Sequence, residues 1–150
     1  MFRFSFIAFF LGSAISGCGG IFPSAPTVLT ACSFEQAWAI ALASVNEFEV
    51  QRVDKISGKI ETEWMLFNSK RGAGLFARSE NKERMRFFVT LERKSIGIQI
   101  ETFQMREFFS PMGLQSQSGW RRIAPNKGEE QRLANRISNR LKAKGCTILS

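Results

Sequence analysis

The sequence predicts a two-layer α+β domain: an antiparallel sheet of about four strands, with an N-terminal and a C-terminal helix packed on one face. Three observations carry that expectation. Helical periodicity is confined to two stretches, one starting at Ser33 and one at Glu129. Between them, apolar and polar residues alternate with period two. Three successive strands each show one apolar face, and two amphipathic helices can supply the cover those faces need.

The first helix opens on a capping box, Ser33 with Gln36 three residues on, and sets Phe34, Ala37, Trp38, Ala41, Leu42 and Val45 at helical spacing. Phe48 to Asp54 changes to a strand-like pattern, and Asp54-Lys55-Ile56-Ser57-Gly58 reads as a turn. Lys59 to Phe67 is the next strand, with Ile60, Thr62, Trp64 and Leu66 expected on the core face and Glu61, Glu63, Met65 and Phe67 on the other. Asn68 to Lys82 is a polar connection longer than a hairpin needs. Glu83 to Arg93 sets Met85, Phe87, Val89 and Leu91 against Arg84, Arg86, Phe88, Thr90 and Glu92, and a tight turn at Lys94-Ser95 leads into Ile96, Ile98, Ile100 and Thr102. Phe109 to Pro125, with Pro111, Gly113 and Gly119, reads as irregular. Glu129 to Lys144 is the second helix: Leu133, Ile137 and Leu141 form its stripe, glutamates come early, lysines late, and Gly145 stops it.

The chemistry available is narrow. There is no histidine, no tyrosine and a single aspartate, Asp54, which removes Ser-His-Asp, Cys-His and His-based zinc arrangements. Glu61/Glu63 reads as the polar face of a strand and Glu129/Glu130 as complement to a helix dipole, and Ser69 to Gly74 has the wrong order for a P-loop. No catalytic residue, metal or cofactor is expected. Lys and Arg number 21 against 13 acidic residues, a net +8. Such a balance suits lipid headgroups, lipopolysaccharide phosphates or acidic proteins, with a merely solvated basic surface as the alternative. Of three cysteines, Cys18, Cys32 and Cys146, the last two flank the domain; they either close it as a disulfide or stand as two thiols.

The N-terminus resembles a bacterial lipoprotein signal: Arg3, an apolar run from Phe4 to Ile15, then Ile15-Ser16-Gly17-Cys18. An ordinary secretory signal is the other reading. The run is shorter than the roughly 20 residues a membrane-spanning helix takes. The resemblance implies cleavage before Cys18 and its acylation, and the organisation becomes a signal peptide over 1–17, a linker over 18–31 bearing the lipid, and one α+β domain over 32–150. Removing 1–17 takes away Arg3 and no acidic residue, leaving +7. Gly19 after the cysteine, in place of the Asp that retains lipoproteins at the inner membrane, implies the outer membrane with the domain in the periplasm, away from nucleic acid.

A second likeness covers roughly Ser33 to Lys144. Phe34-Glu35-Gln36-Ala37-Trp38 in the first helix leads through Val53-Asp54-Lys55-Ile56-Ser57-Gly58-Lys59-Ile60-Glu61-Thr62-Glu63-Trp64 into an Arg-rich strand pair. This progression resembles BamC-type lipoproteins, accessory subunits of the outer-membrane β-barrel assembly machinery built on helix-grip domains. The resemblance implies a helix-grip fold and a non-enzymatic accessory or scaffold role. Better-known members carry a longer N-terminal segment and two such domains, whereas this chain has a short linker and one.

The residues themselves point to a binding face. If the Lys94-Ser95 turn sets the register, Arg86 lies opposite Phe103 and Arg84 opposite Met105, with Met65, Phe67 and Phe88 on the same side. That mixed patch is the candidate contact for a protein partner, unless the linker, the 109–125 segment or a neighbouring strand covers it. Trp120 with Arg121 and Arg122 is a second candidate anchor, or Trp120 is a plug between the sheet and the start of a helix. Lys70, Arg71 and Arg78 are the candidate anion-binding residues of an alternative role in handling lipid or lipopolysaccharide.

Overall fold

A computed structural model describes residues 25–68, 82–110 and 119–149. Along the chain run β1 (Thr27–Thr30), α1 (Phe34–Ser44), β2 (Val50–Asp54), β3 (Lys59–Thr62), β4 (Met65–Asn68), β5 (Lys82–Lys94), β6 (Gly97–Ser110), β7 (Gly119–Ile123), α2 (Lys127–Ala143) and β8 (Ile148–Leu149). Among the described residues the sheet therefore has eight antiparallel strands, in the order β2-β3-β5-β6-β1-β8 with β4 on β5 and β7 on β6, and the expected sheet of about four is corrected. One added strand, β4, comes from a break that splits the expected Lys59–Phe67 strand; the other three share a cause. β1 falls in the expected linker, β7 in the expected irregular segment and β8 beyond the last helix; at two to five residues each they are too short to show a period and exist because β6 or β1 offers them an edge.

The spine is the β5–β6 hairpin, paired from Glu83↔Phe108 to Lys94↔Gly97. Its turn is Ser95–Ile96 rather than Lys94–Ser95. Gly97, at φ +154°, explains the choice: a Cβ there would sit 2.3 Å from the Thr30 carbonyl oxygen, so only glycine lets β1 pass. The register moves by two residues, placing Arg86 opposite Met105 and Arg84 opposite Glu107. An even shift leaves every side chain on its face.

Both helices lie on one face of the hairpin and share one core. Phe34, Ala37, Trp38, Ile40, Ala41 and Val45 of the first helical segment meet Leu133, Ala134, Ile137 and Leu141 of α2 over Val28, Ile60, Val89, Leu91, Ile98 and Ile100. Ser33 caps α1, its hydroxyl accepting from the Gln36 N–H at 3.3 Å, and Asn126 caps α2. The last turn of α1 has no basic residue of its own; Arg136 and Arg140 of α2 donate to its Ser44 and Ala43 carbonyls at 3.2 and 2.7 Å. Cys32 and Cys146 are disulfide-bonded, with Cα atoms 5.4 Å apart, tying the start of α1 to the end of α2.

The sheet narrows at one level. Phe87 and Gln104 are register partners, and each lies where the flanking strands are interrupted, between β3 and β4 on one side and between β1 and β7 on the other. Their outward N–H groups would be orphaned in a buried place. Side chains take them instead: the Thr62 hydroxyl accepts from Phe87 at 2.9 Å, and the buried Glu130 carboxylate accepts from Gln104 at 2.9 Å while pairing with Lys127 at 2.8 Å. Glu130 thus does more than complement a helix dipole. This waist divides the hairpin into a helix-covered half toward Ser95 and a distal half of β4, β5, β6 and β7.

Candidate interaction surface

The break after Thr62 decides which side chains reach the open face. Glu63 and Trp64 leave the ladder between β3 and β4, the Glu63 N–H donating to the Glu49 carbonyl at 2.7 Å. The phase then changes by one residue. Met65 pairs opposite Met85 and packs against the core, Phe67 lies opposite Glu83 on that same side, and Leu66, 67% exposed, lies opposite Arg84 on the open side. The expected placing of Met65 and Phe67 on the open face, and of Trp64 and Leu66 in the core, is therefore reversed.

Trp64 becomes the centre of the site. Arg84 lies between two indoles, its guanidinium carbon 4.2 Å from the Trp64 ring centre and 4.3 Å from that of Trp120. Arg86 stacks on the other neighbours, 4.5 Å from Trp64 and 4.9 Å from Phe88. Phe88 packs on Phe103 with centroids 6.1 Å apart, and Phe109 meets Trp120 edge-on at 5.4 Å. The result is a ladder, Trp120–Arg84–Trp64–Arg86–Phe88–Phe103, running across three strands, β7, β5 and β6, and the β3–β4 break. Carboxylates hold the guanidiniums in plane: Glu107 pairs with Arg84 at 2.6 Å and Glu61 with Arg86. Stacking leaves the flat faces of Arg on the rings and its edges for carboxylates, a division Lys could not make.

Of the expected partner-binding residues, Arg84, Arg86, Phe88, Phe103, Met105 and Trp120 all share this face by register, and Trp120 stands on β7 in the sheet rather than plugging a gap to a helix. Trp64, Phe109, Glu61, Glu107 and Arg122, 6.0 Å from the Phe103 ring, join them. Arg122 was expected beside Trp120, and Glu61 on the non-core face of its strand; Trp64 was hidden because its strand alternates without interruption in the sequence. Since both helices pack on the opposite side, no second layer of secondary structure covers this face among the described residues. Beside the ladder, Arg52, Asp54, Ser57, Lys59, Glu61, Phe88 and Thr90 border a depression of about 450 Å³. Asp54 at its rim is held below the usual carboxylate range, first by the Ser57 backbone N–H.

Cys18, Lys70, Arg71 and Arg78 lie outside the described residues. Among the described residues no group of three or more His, Cys, Asp or Glu side chains is placed to hold a metal, and no helix is long and apolar enough to cross a membrane. No family model and no curated protein matches the chain.

Proposed function

We propose that this chain is a non-enzymatic lipoprotein of the outer membrane, tethered through acyl groups on Cys18 and facing the periplasm. It acts there as an accessory or scaffold subunit of a β-barrel assembly complex, docking a protein partner on the open face of its sheet. The arginine–aromatic ladder carries this reading. Trp, Arg, Phe and Met are the residue types enriched at protein interfaces, and here they are pre-ordered by stacking and ion pairs, which lowers the entropy lost on binding. The Cys32–Cys146 bond suits an exported chain. The likeness of residues 33–144 to BamC-type lipoproteins supplies the identity of the complex.

The test is a gentle-detergent pull-down of the tagged full-length protein from its own membranes, with crosslinking and mass spectrometry, beside Cys18→Ala and Phe103→Glu. Enrichment of β-barrel assembly subunits, weakened in both variants, supports the reading. Recovery of lipopolysaccharide instead, or a well-folded Phe103→Glu variant that keeps every partner, overturns it.

A further inference from the structure

The outer side of α2 carries a chemistry that neither the core nor the open face uses. From Gln131 to Ser150 the sequence has Arg132, Arg136, Arg140, Lys142 and Lys144 and no acidic residue. The three arginines recur at intervals of four, which stacks them along one side of the helix, beside the buried stripe of Leu133, Ile137 and Leu141. At a helical rise of about 1.5 Å per residue, neighbouring arginines stand about 6 Å apart along the axis and the outer two about 12 Å.

Arg132, Asn135, Arg136, Asn139, Arg140 and Ala143 line a groove of about 490 Å³. Every polar side chain in that lining can donate a hydrogen bond, and no carboxylate is among them. Two acids pair with these arginines, Glu129 with Arg132 and Glu47 with Arg136, while Arg140 meets only the Ala43 carbonyl at 2.7 Å. A guanidinium has five N–H donors, so each keeps the capacity for a further acceptor. The Ser44 and Ala43 carbonyls hold Arg136 and Arg140 in place before any ligand arrives.

Capping of α1 accounts for those two arginines and for no other residue of the groove. Arg132 pairs within its own helix. Asn135 and Asn139 are exposed in a helix interior, where asparagine is a poor helix former. The Asn139 side chain has no hydrogen-bond partner among the described residues, and the Asn135 carbonyl accepts from Gln131 at 2.9 Å, which leaves its amide N–H groups to donate.

We infer that this groove binds phosphate groups of an anionic ligand. Arg136 and Arg140 close on one phosphate through charge-assisted hydrogen bonds, Asn139 adds a neutral donor, and Arg132 with Asn135 forms a second position one helical turn away. A phosphate ester presents several acceptor oxygens to this row of donors; a carboxylate, with two oxygens and one charge, would leave most of them unused. The groove lies on the helix layer and the arginine–aromatic ladder on the opposite face of the sheet, so both can be filled at once, and the site depends neither on the partner proposed above nor on the acylation of Cys18. Such a phosphate is carried by a lipid headgroup or by a soluble molecule, and the test separates the two.

Isotopically labelled full-length protein in a non-ionic detergent is titrated with inorganic pyrophosphate, dihexanoyl phosphatidylglycerol or dihexanoyl phosphatidylcholine, while NMR follows the Asn135 and Asn139 side-chain amides and the arginine Nε–H groups. Saturable shifts at Asn139, Arg136 and Arg140 are expected. Shifts with phosphatidylglycerol and not with the zwitterionic phosphatidylcholine assign the ligand to anionic headgroups; shifts with pyrophosphate alone assign it to a soluble phosphate. Arg132→Gln with Asn139→Asp leaves the contacts to α1 intact and, read at Arg136 and Arg140, should weaken binding about tenfold or more. Lys82→Gln with Arg121→Gln removes the same charge from exposed side chains outside the groove and should change binding by less than about twofold. Absence of saturable shifts with both pyrophosphate and phosphatidylglycerol, equal shifts with the two lipids, or equal weakening in the two double variants overturns the site and leaves only the diffuse field of a basic domain.

Discussion

The two halves of one hairpin are built on different chemistry. Toward Ser95, β5 and β6 carry Val89, Leu91, Ile98 and Ile100 under two helices, and a disulfide closes the chain around them. Beyond Phe87 and Gln104 the same strands extend past that core. There the face turned toward the helices carries the Glu83–Arg106 ion pair and partly buried Phe67 and Met85. On the open face, Arg84 stacks between Trp64 and Trp120. A sheet can thus outrun its hydrophobic layer if stacked guanidiniums take over the packing that a second layer would supply. Stability belongs to one half and display to the other.

The sharpest way to break this division is in the covered half. Phe87 is almost fully buried and packs on Phe48 with ring centroids 5.0 Å apart. Phe87→Ala should cost about 3–5 kcal/mol in chemical denaturation and lower the whole transition, since truncation leaves a cavity in the shared buried core. Replacing Cys32 and Cys146 together by Ser comes next, at roughly 2–5 kcal/mol, because the bond closes a loop spanning 114 residues of sequence separation. If either change loosens only the distal half, the two halves are not divided as described.

The waist is the next target. Glu130→Ala removes the acceptor for the Gln104 N–H and should cost about 1–3 kcal/mol, the price of a buried donor left unmade. Glu130→Gln, which keeps an acceptor oxygen, should recover most of it. Equal losses in the two variants would mean that the charge paired with Lys127, rather than the bridging of the sheet, is what matters at this position.

What could be read from residues alone follows the same division. The helices and the covered part of the hairpin were legible because burial of one face writes a period into the sequence: Leu133, Ile137 and Leu141, or Phe87, Val89 and Leu91. The distal half was legible in composition but not in geometry. Arg84, Arg86, Phe88 and Phe103 were placed on the right face, yet Trp64 was assigned to the core because no glycine or proline marks the two-residue break that reverses the phase. β1, β7 and β8 were missed because pairing with a distant edge leaves no local trace. The glutamate that spans the waist looked like an ordinary first-turn acid.

A smaller effect tests the ladder itself. Arg84 and Glu107 are 26% and 18% exposed, so their attraction is partly screened, and two indole contacts add to it. Arg84→Ala should cost about 1–2 kcal/mol and act locally, raising amide exchange in Met65–Asn68 and Gly119–Ile123 while leaving Ile98–Ile100 unchanged. Arg84→Lys should restore the charge but not the exchange protection, because an ammonium cannot stack on two rings and meet Glu107 in plane. Full rescue by lysine would reduce the ladder to a simple ion pair.

The smallest expected effect returns to the covered half, at the turn joining β2 to β3. Asp54 accepts from the Ser57 N–H at 3.1 Å, and Gly58, at φ +68°, presents its carbonyl to the Leu91 N–H at 2.7 Å, so this turn is fastened to the central hairpin. The Ser57 contact lowers the Asp54 pKa on folding. A depressed carboxylate contributes stability that is present above its unfolded value and lost as pH falls through the folded one. The denaturation midpoint of the wild type should therefore exceed that of Asp54→Asn at neutral pH, and the gap should close below the ordinary aspartate value of about 4. Glu92 is lowered in the same direction by Lys94, so the acid response of the wild type contains both groups, and the difference between the two proteins isolates Asp54. A gap that persists at low pH would mean the turn depends on the shape of the aspartate and not on its charge.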